Sequence, residues 1–218
     1  MRDAYHEELD QITDALVEMT NMVGTAMAKA TTALLSADLQ LAESVIAADE
    51  AVDAVYRDTE QRAFDVMARQ QPVASDLRML VTSLRMVADL ERMGDLALHV
   101  AKVARRRFPA NAVPAELRPT VLRMGHVAEE IAAKAGKVLA ERDVALAEQL
   151  ERDDDEMDTL HKDLFTVMLE DQWQGGIECA VDIALVGRYY ERFADHAVSV
   201  ARRTVYLVTG ERPEPVAG

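Results

Sequence analysis

Apolar residues recur at steps of three and four through most of the chain. Ile12, Leu16, Met19, Val23 and Ala26 form one such stripe and predict an amphipathic helix over about 3–36. Asp38 stands where a helix N-cap belongs, and Leu41, Val45, Val52, Val55 and Val66 carry a second stripe to about Arg69. Pro72 interrupts it. Ser75 or Asp76 can cap a third helix bearing Leu77, Leu80, Leu84, Val87, Leu98 and Val103. That helix closes on Arg105, Arg106 and Arg107, cations placed where a helix C-terminus favours them. Pro109, Pro114 and Pro119 then mark a boundary. Beyond it a fourth helix is predicted from about 115 to 141, and Asp143 caps a fifth to about 171. Gly175-Gly176 breaks that one, a sixth runs from about 177 to 209, and a polar tail is expected to fray.

The second half repeats the first. An offset of 105 places Asp38-Leu39-Gln40-Leu41-Ala42-Glu43 on Asp143-Val144-Ala145-Leu146-Ala147-Glu148, and Asp49 and Asp53 on Asp154 and Asp158. Further on, an offset of 100 places Glu91-Arg92-Met93-Gly94-Asp95 on Glu191-Arg192-Phe193-Ala194-Asp195. The change of offset falls near 70–75, in a loop where insertions are tolerated. The expected fold is all-α: two tandem three-helix bundles over 1–110 and 111–210, with a tail at 211–218.

Composition narrows the function. Nine glycines and six prolines in 218 residues, with 5% aromatics, are too few for a turn-rich β fold. Twenty-four basic against 39 acidic residues give a net charge of −15, which repels nucleic-acid phosphate and anionic membrane but suits cations or a basic partner. Cys179, the single cysteine, excludes an internal disulfide and a paired-cysteine zinc site. The N-terminal residues lack the apolar stretch of a signal peptide, and no run approaches the roughly 18 apolar residues that cross a bilayer. A cytoplasmic protein without membrane insertion is the expectation.

Four acidic pairs carry the candidate chemistry: Asp49/Asp53, Glu91/Asp95, Asp154/Asp158 and Glu191/Asp195. Each is spaced i,i+4, so its two side chains share a helix face about 6 Å apart. One such pair is usually a solvated face. The register makes these different. Asp53 and Glu91 each lie 19 residues from Pro72, and Asp49 and Asp95 each lie 23 from it. An antiparallel hairpin turning there brings the pairs level, roughly 28 Å from the turn. Asp158/Glu191 and Asp154/Asp195 are likewise centred between Gln174 and Gly175, beside the Gly-Gly break.

Two like charges 6 Å apart cost about 3 kcal/mol at an effective dielectric near 20, so four converging carboxylates carry roughly 10 kcal/mol or more of repulsion. Arginine, protonation or a cation can relieve it. Arg92 and Arg192 point about 100° away from the glutamates they follow. A polar seam with arginine counterions therefore competes with a metal centre, and an all-oxygen set suits magnesium, manganese, calcium or iron. His161 and His99 could each face a site, but their repeat counterparts are Tyr56 and Ser199, and both read as surface histidines. His196 points elsewhere, and Met79, Met86 and Met93 read as core.

The run Asp76-Leu77-Arg78 with Asp89-Leu90-Glu91-Arg92-Met93-Gly94-Asp95 resembles the signature of the PhoU family of phosphate transport and signalling regulators, of actinobacterial type. Tyr190-Glu191-Arg192-Phe193-Ala194-Asp195-His196-Ala197 is similar to its second copy, with Ala194 standing where Gly94 stands in the first. The resemblance implies a homodimeric cytoplasmic negative regulator of the phosphate-starvation response, not an enzyme. Its implied partners are the ATPase of the high-affinity phosphate transporter and the phosphate-sensing histidine kinase. It also implies divalent or multinuclear metal (iron, manganese, magnesium or zinc) on Asp49, Asp53, Glu91 and Asp95, and on Asp154, Asp158, Glu191 and Asp195. The rival from the enzyme class is a ferritin-like dimetal oxidase or iron store. Such bundles use Glu-x-x-His motifs, whereas Glu91 and Glu191 are followed three residues later by Gly94 and Ala194.

Overall fold

A computed structural model describes residues 2–171 and 173–211. The chain forms six α-helices: α1 (Arg2–Ser36), α2 (Leu39–Gln70), α3 (Ala74–Arg107), α4 (Arg118–Glu141), α5 (Val144–Met168) and α6 (Gly176–Thr209). A short 3-10 turn, Ala115–Leu117, leads into α4. The two capping aspartates act as their sequence positions predict. Asp38 accepts a hydrogen bond from the Leu41 amide at 2.9 Å, and Asp143 accepts one from Leu146 at 3.0 Å. The residue before each cap, Ala37 (φ 53°) or Arg142 (φ 54°), is left-handed, which lets the chain reverse within two residues.

Three local expectations are corrected. The N-cap of α3 is Val73, which has no capping side chain, so Ser75 and Asp76 lie inside the first turn. Helix α5 ends at Met168, short of the expected 171. Pro119 belongs to the first turn of α4, where a missing amide costs nothing, while Pro109 and Pro114 lie in the connection. The tail at 211–218, where fraying is expected, lies outside the described residues except for Glu211.

Each half is a three-helix bundle, and one apolar core runs through both, from Leu16, Met19 and Val23 through Met93 and Ala97 to Ile131, Val186 and Phe193. Met86 and Met93 are fully buried in it, and Met79 packs beside a second, smaller cluster of Leu9, Ile12, Ala63, Val66 and Leu80. The halves join along two seams, α1 on α4 and α3 on α6. On the first, Thr31 faces Gly125 and Thr20 faces Gly136, so the helices run antiparallel. The repeat offset of 105 carries Thr20 to Gly125 and Thr31 to Gly136. These are one threonine-in-glycine contact, repeated by an approximate two-fold relation between the halves.

The second seam is also antiparallel, and it is polar along its edges. Asp89 accepts from His196 at 3.1 Å and from Arg203 at 2.9 Å. Burial alone would raise the Asp89 pKa, but those two bonds outweigh it and hold the carboxyl below its ordinary value. At the other end Asp182, only 3% exposed, is gripped by Arg106 and Arg107. Tyr190, fully buried, shares a 2.6 Å hydrogen bond with the Thr31 hydroxyl and so ties α6 to α1. No helix among the described residues is long and apolar enough to cross a membrane.

Candidate functional site

The hairpin register predicted from the sequence places the acidic pairs opposite one another. Asp49 and Asp53 on α2 look across to Glu91 and Asp95 on α3, and all four are half-buried. Gly94 permits the close approach: a Cβ there would lie 3.2 Å from Val52 Cγ1 and 3.4 Å from Asp49 Oδ1. In the second hairpin Ala194 stands at the equivalent place and is fully buried in the core.

Electrostatics shows which carboxylates sense one another. Burial raises the Asp49 pKa, and the charges of Asp53 and Asp95 push it further, against the pull of Lys102 and His99. Glu91 is raised by burial and by Asp95, with Arg92 opposing and Asp53 and Asp49 adding to the rise. The first set is thus one coupled cluster spanning α2 and α3. In the second, Asp154 is pushed up to about 7 by burial, then by Asp195, Asp158, Asp155 and Glu191. Glu191 and Asp195 are raised chiefly by burial as well, each with Arg188 opposing and Asp158 contributing. Asp158 is the one exposed member of the eight.

Arginines line both rims. Arg92 reaches back along its helix to Asp95 at 2.8 Å and Glu91 at 3.7 Å, and Arg192 approaches Asp195 at 4.0 Å. Two further counterions have no part in the sequence reading: Arg57, 3.8 Å from Asp53, and Arg188, paired with Glu191. Spacing holds the signal for both, since they stand four residues after Asp53 and three before Glu191. All four guanidiniums are about half exposed, so solvent screens them and each contributes little. Four carboxylates against two arginines leave each cluster net negative.

The donor set of each cluster is oxygen only, mostly half-buried and short of positive charge, and Asp49, Glu91, Asp154, Glu191 and Asp195 bind protons above their ordinary pKa values. That chemistry fits a hard cation. Among the described residues no three Asp, Glu, His or Cys side chains close on a single point, so ligation requires carboxylates to turn inward from their arginines. A cavity of about 350 Å³ beside Asp49, lined by Met22, Ala26, Val45 and Val52, leaves space on the α1 side of the first cluster. In the second half the Lys134–Asp153 pair occupies the corresponding positions, Asp153 standing where the first half has Ala48.

His99 and His161 are half-buried, not on the surface. The His99 ring lies 2.6 Å from the Asp95 carbonyl oxygen and packs against Tyr189, in the α3–α6 seam. His161 packs on Phe165 and against the Gly187 backbone, where a Cβ would come within 2.9 Å of its ring. Its Nε2 is buried without a hydrogen-bond partner, and burial and Arg188 lower its pKa. His196 is bonded to Asp89, away from the carboxylates, as expected.

The family model described as "PhoU domain" matches the chain twice, over residues 16–104 and 121–204. The phosphate-specific transport system accessory protein PhoU homolog 2 of Mycobacterium tuberculosis is 49% identical over 213 residues, covering 98% of this chain and 100% of that protein. Homolog 1 of Mycobacterium leprae is 48% identical over 214 residues, covering 98% and 96%. Among solved structures, PhoU from Pseudomonas aeruginosa matches with a TM-score of 0.83 at 30% identity, covering 95% of this chain and 100% of that one. The phosphate transport system regulatory protein PhoU from Streptococcus pneumoniae matches with a TM-score of 0.85 at 25% identity, covering 97% and 100%.

Proposed function

Because this chain belongs to the PhoU family, we propose that it is a regulatory accessory protein of a phosphate-specific transport system, and that it works as a metal-binding adaptor. In this reading it is a cytoplasmic homodimer that represses the phosphate-starvation response when phosphate is plentiful. It couples the transporter ATPase to the phosphate-sensing histidine kinase by contact. Relatives that match over nearly their whole length and carry the accessory-protein name support the physiological part.

One observation carries the metal part: the same four-carboxylate cluster recurs across both hairpins, net negative, with the pKa values of Asp49 and Glu91 raised in one and those of Asp154, Glu191 and Asp195 in the other. Asp49, Asp53, Glu91 and Asp95 would hold one centre, and Asp154, Asp158, Glu191 and Asp195 the other. Bound iron, manganese, magnesium or zinc would supply the positive charge that the two rim arginines leave wanting. The helices fix the carboxylates level across each hairpin, Gly94 sets the α2–α3 spacing, and Arg57, Arg92, Arg188 and Arg192 hold the acids outward until they are displaced. Nothing in this set is a nucleophile–base pair.

Metal analysis of purified protein tests the ligand set. Glu91→Ala with Asp95→Ala should remove about half the bound metal and keep the helical circular dichroism, and unchanged metal content would show that the ligands are wrong. Deleting the gene, with any close paralogue, should leave starvation genes active in phosphate-rich medium, and normal repression would refute the regulator reading. A ferritin-like oxidase would instead consume oxygen with ferrous iron. His161, the side chain nearest to completing such a motif, packs against Gly187 and Phe165, which favours the adaptor.

A further inference from the structure

The α3–α6 seam has two ends that the repeat makes equivalent, and they differ in charge. At one end Glu178 and Asp182 of α6 neutralise Arg107, and Asp182 also takes Arg106, so carboxylates and guanidiniums match. The offset of 100 carries that end to the first turns of α3, where Arg78 stands for Glu178, Thr82 for Asp182 and Arg85 for Leu185. Both internal carboxylates are missing there, Tyr206 and Leu207 stand for Arg106 and Arg107, and the cations are Arg78 and Arg85 instead.

These residues line an open groove of about 620 Å³ between the first half of α3 and the last turns of α6. Arg203 reaches it from α6, but its charge is already taken by Asp89 at 2.9 Å. Arg78 lies against the Tyr206 ring, 5.4 Å from its centroid, and near the C-terminus of α6 at Gly210. Neither contact supplies a carboxylate. Arg85 is exposed, and among the described residues it has no acidic partner. Between the arginines, Leu77 and Val81 are 41% and 39% exposed, one helical turn apart, so apolar surface is open between the cations. In a chain of net charge −15, a groove with unmatched arginines and bare aliphatic side chains is the reverse of the surrounding surface.

We propose that this groove docks an acidic, partly apolar peptide segment of a partner protein, whose carboxylate takes the place that Asp182 fills at the other end of the seam. Arg78 and Arg85 receive the carboxylate, forks suited to a bidentate acceptor. Leu77 and Val81 receive an aliphatic side chain of the same segment. A single inorganic anion would use the arginines but leave the apolar strip uncovered, and the groove is far larger than one such ion needs. The surface is separate from the carboxylate clusters, and the proposal stands whether or not they hold metal.

A short fluorescent peptide alternating leucine and glutamate, titrated with the full chain and followed by anisotropy, tests this. Binding should weaken with added salt, as an exposed charge contact does. Arg85→Ala should weaken it about tenfold, the factor that one charged hydrogen bond supplies. Thr82→Asp should abolish it by installing the carboxylate that the equivalent position carries. Arg105→Ala, which removes the same charge from another exposed place on α3, should leave it unchanged. Arg85 is a surface side chain, so comparing Arg85→Ala with Arg105→Ala decides the question even if Thr82→Asp disturbs folding. No binding by the native chain, or equal binding by Arg85→Ala and Arg105→Ala, would overturn the proposal. So would displacement of the peptide by inorganic phosphate at matched concentration, which would mark a bare anion site.

Discussion

The α1–α4 seam makes a sharp demand on Gly136. A Cβ there would stand 2.6 Å from Thr20 Oγ1 and 3.5 Å from Thr20 Cβ, and real Cβ atoms essentially never come within 3.0 Å of such a neighbour. Two effects oppose each other in Gly136→Ala. Helix propensity favours alanine by about 1 kcal/mol. Overpacking a buried contact costs about 1–3 kcal/mol, and Thr20 is 1% exposed and β-branched, so it cannot swing aside freely. The net expectation is a loss of about 1 kcal/mol, which in a chain of 218 residues lowers Tm by about 2–4 °C. Thr20→Ala removes the offending oxygen and leaves an ordinary 3.5 Å contact. It sacrifices only a local bond to the Val17 carbonyl at 2.7 Å. In that background Gly136→Ala should stabilise by about 1 kcal/mol, so the substitution changes sign and the coupling is about 2 kcal/mol. Urea unfolding of the four proteins in the cycle measures it. Gly125→Ala, the equivalent change, should be worse, because its Cβ would meet Thr31 Cγ2 at 2.5 Å and Thr31 also holds Tyr190. Additive effects in the Thr20/Gly136 cycle would refute this account of how the halves pack.

Two further outcomes follow from local geometry and charge. Ala37→Gly and Arg142→Gly should each stabilise by about 0.5–1 kcal/mol, because both positions are left-handed and a side chain there is strained; a loss of Tm in both would contradict the turn geometry. Metal-free protein should melt higher at pH 5.5 than at pH 7.5. Asp154 has a folded pKa raised to about 7, mainly by burial, so the folded state holds more protons, and its stability falls as pH climbs from the unfolded value through 7. Asp154→Asn should flatten that slope; a slope left unchanged would mean that Asp154 does not take up its proton on folding in that range.

Much of the fold is legible because its determinants are local or repeat-borne. Asp38 and Asp143 cap their helices through their own side chains, so their type and position suffice. The facing of Asp49/Asp53 and Glu91/Asp95 needs only a hairpin turn and a fixed rise per residue, and the duplicate around Gly175 is an internal check. Where the backbone caps a helix unaided the signal fails, as at Val73, where side chains suited to capping stand two and three residues inside.

What sequence periodicity does not carry is the pairing of helices from different halves. A stripe on α3 says that one face is buried, not that α6 lies against it antiparallel, and the roles of Asp89, Arg203, Asp182 and Tyr190 depend on that pairing. The half-burial of His99 comes from the same source: its ring enters the seam beside Tyr189, a neighbour that no spacing on α3 can reveal. The repeat, once placed in three dimensions, separates scaffold from specialisation. Residues that keep their character under the offset, such as the capping aspartates and the eight carboxylates, are common to both halves. Positions that break it, Arg78 for Glu178, Thr82 for Asp182 and Ala48 for Asp153, lie at surfaces or cavities where one half is filled and the other open. Duplication leaves a fold with its own internal control, and the departures from it mark where the two halves differ in what they can bind.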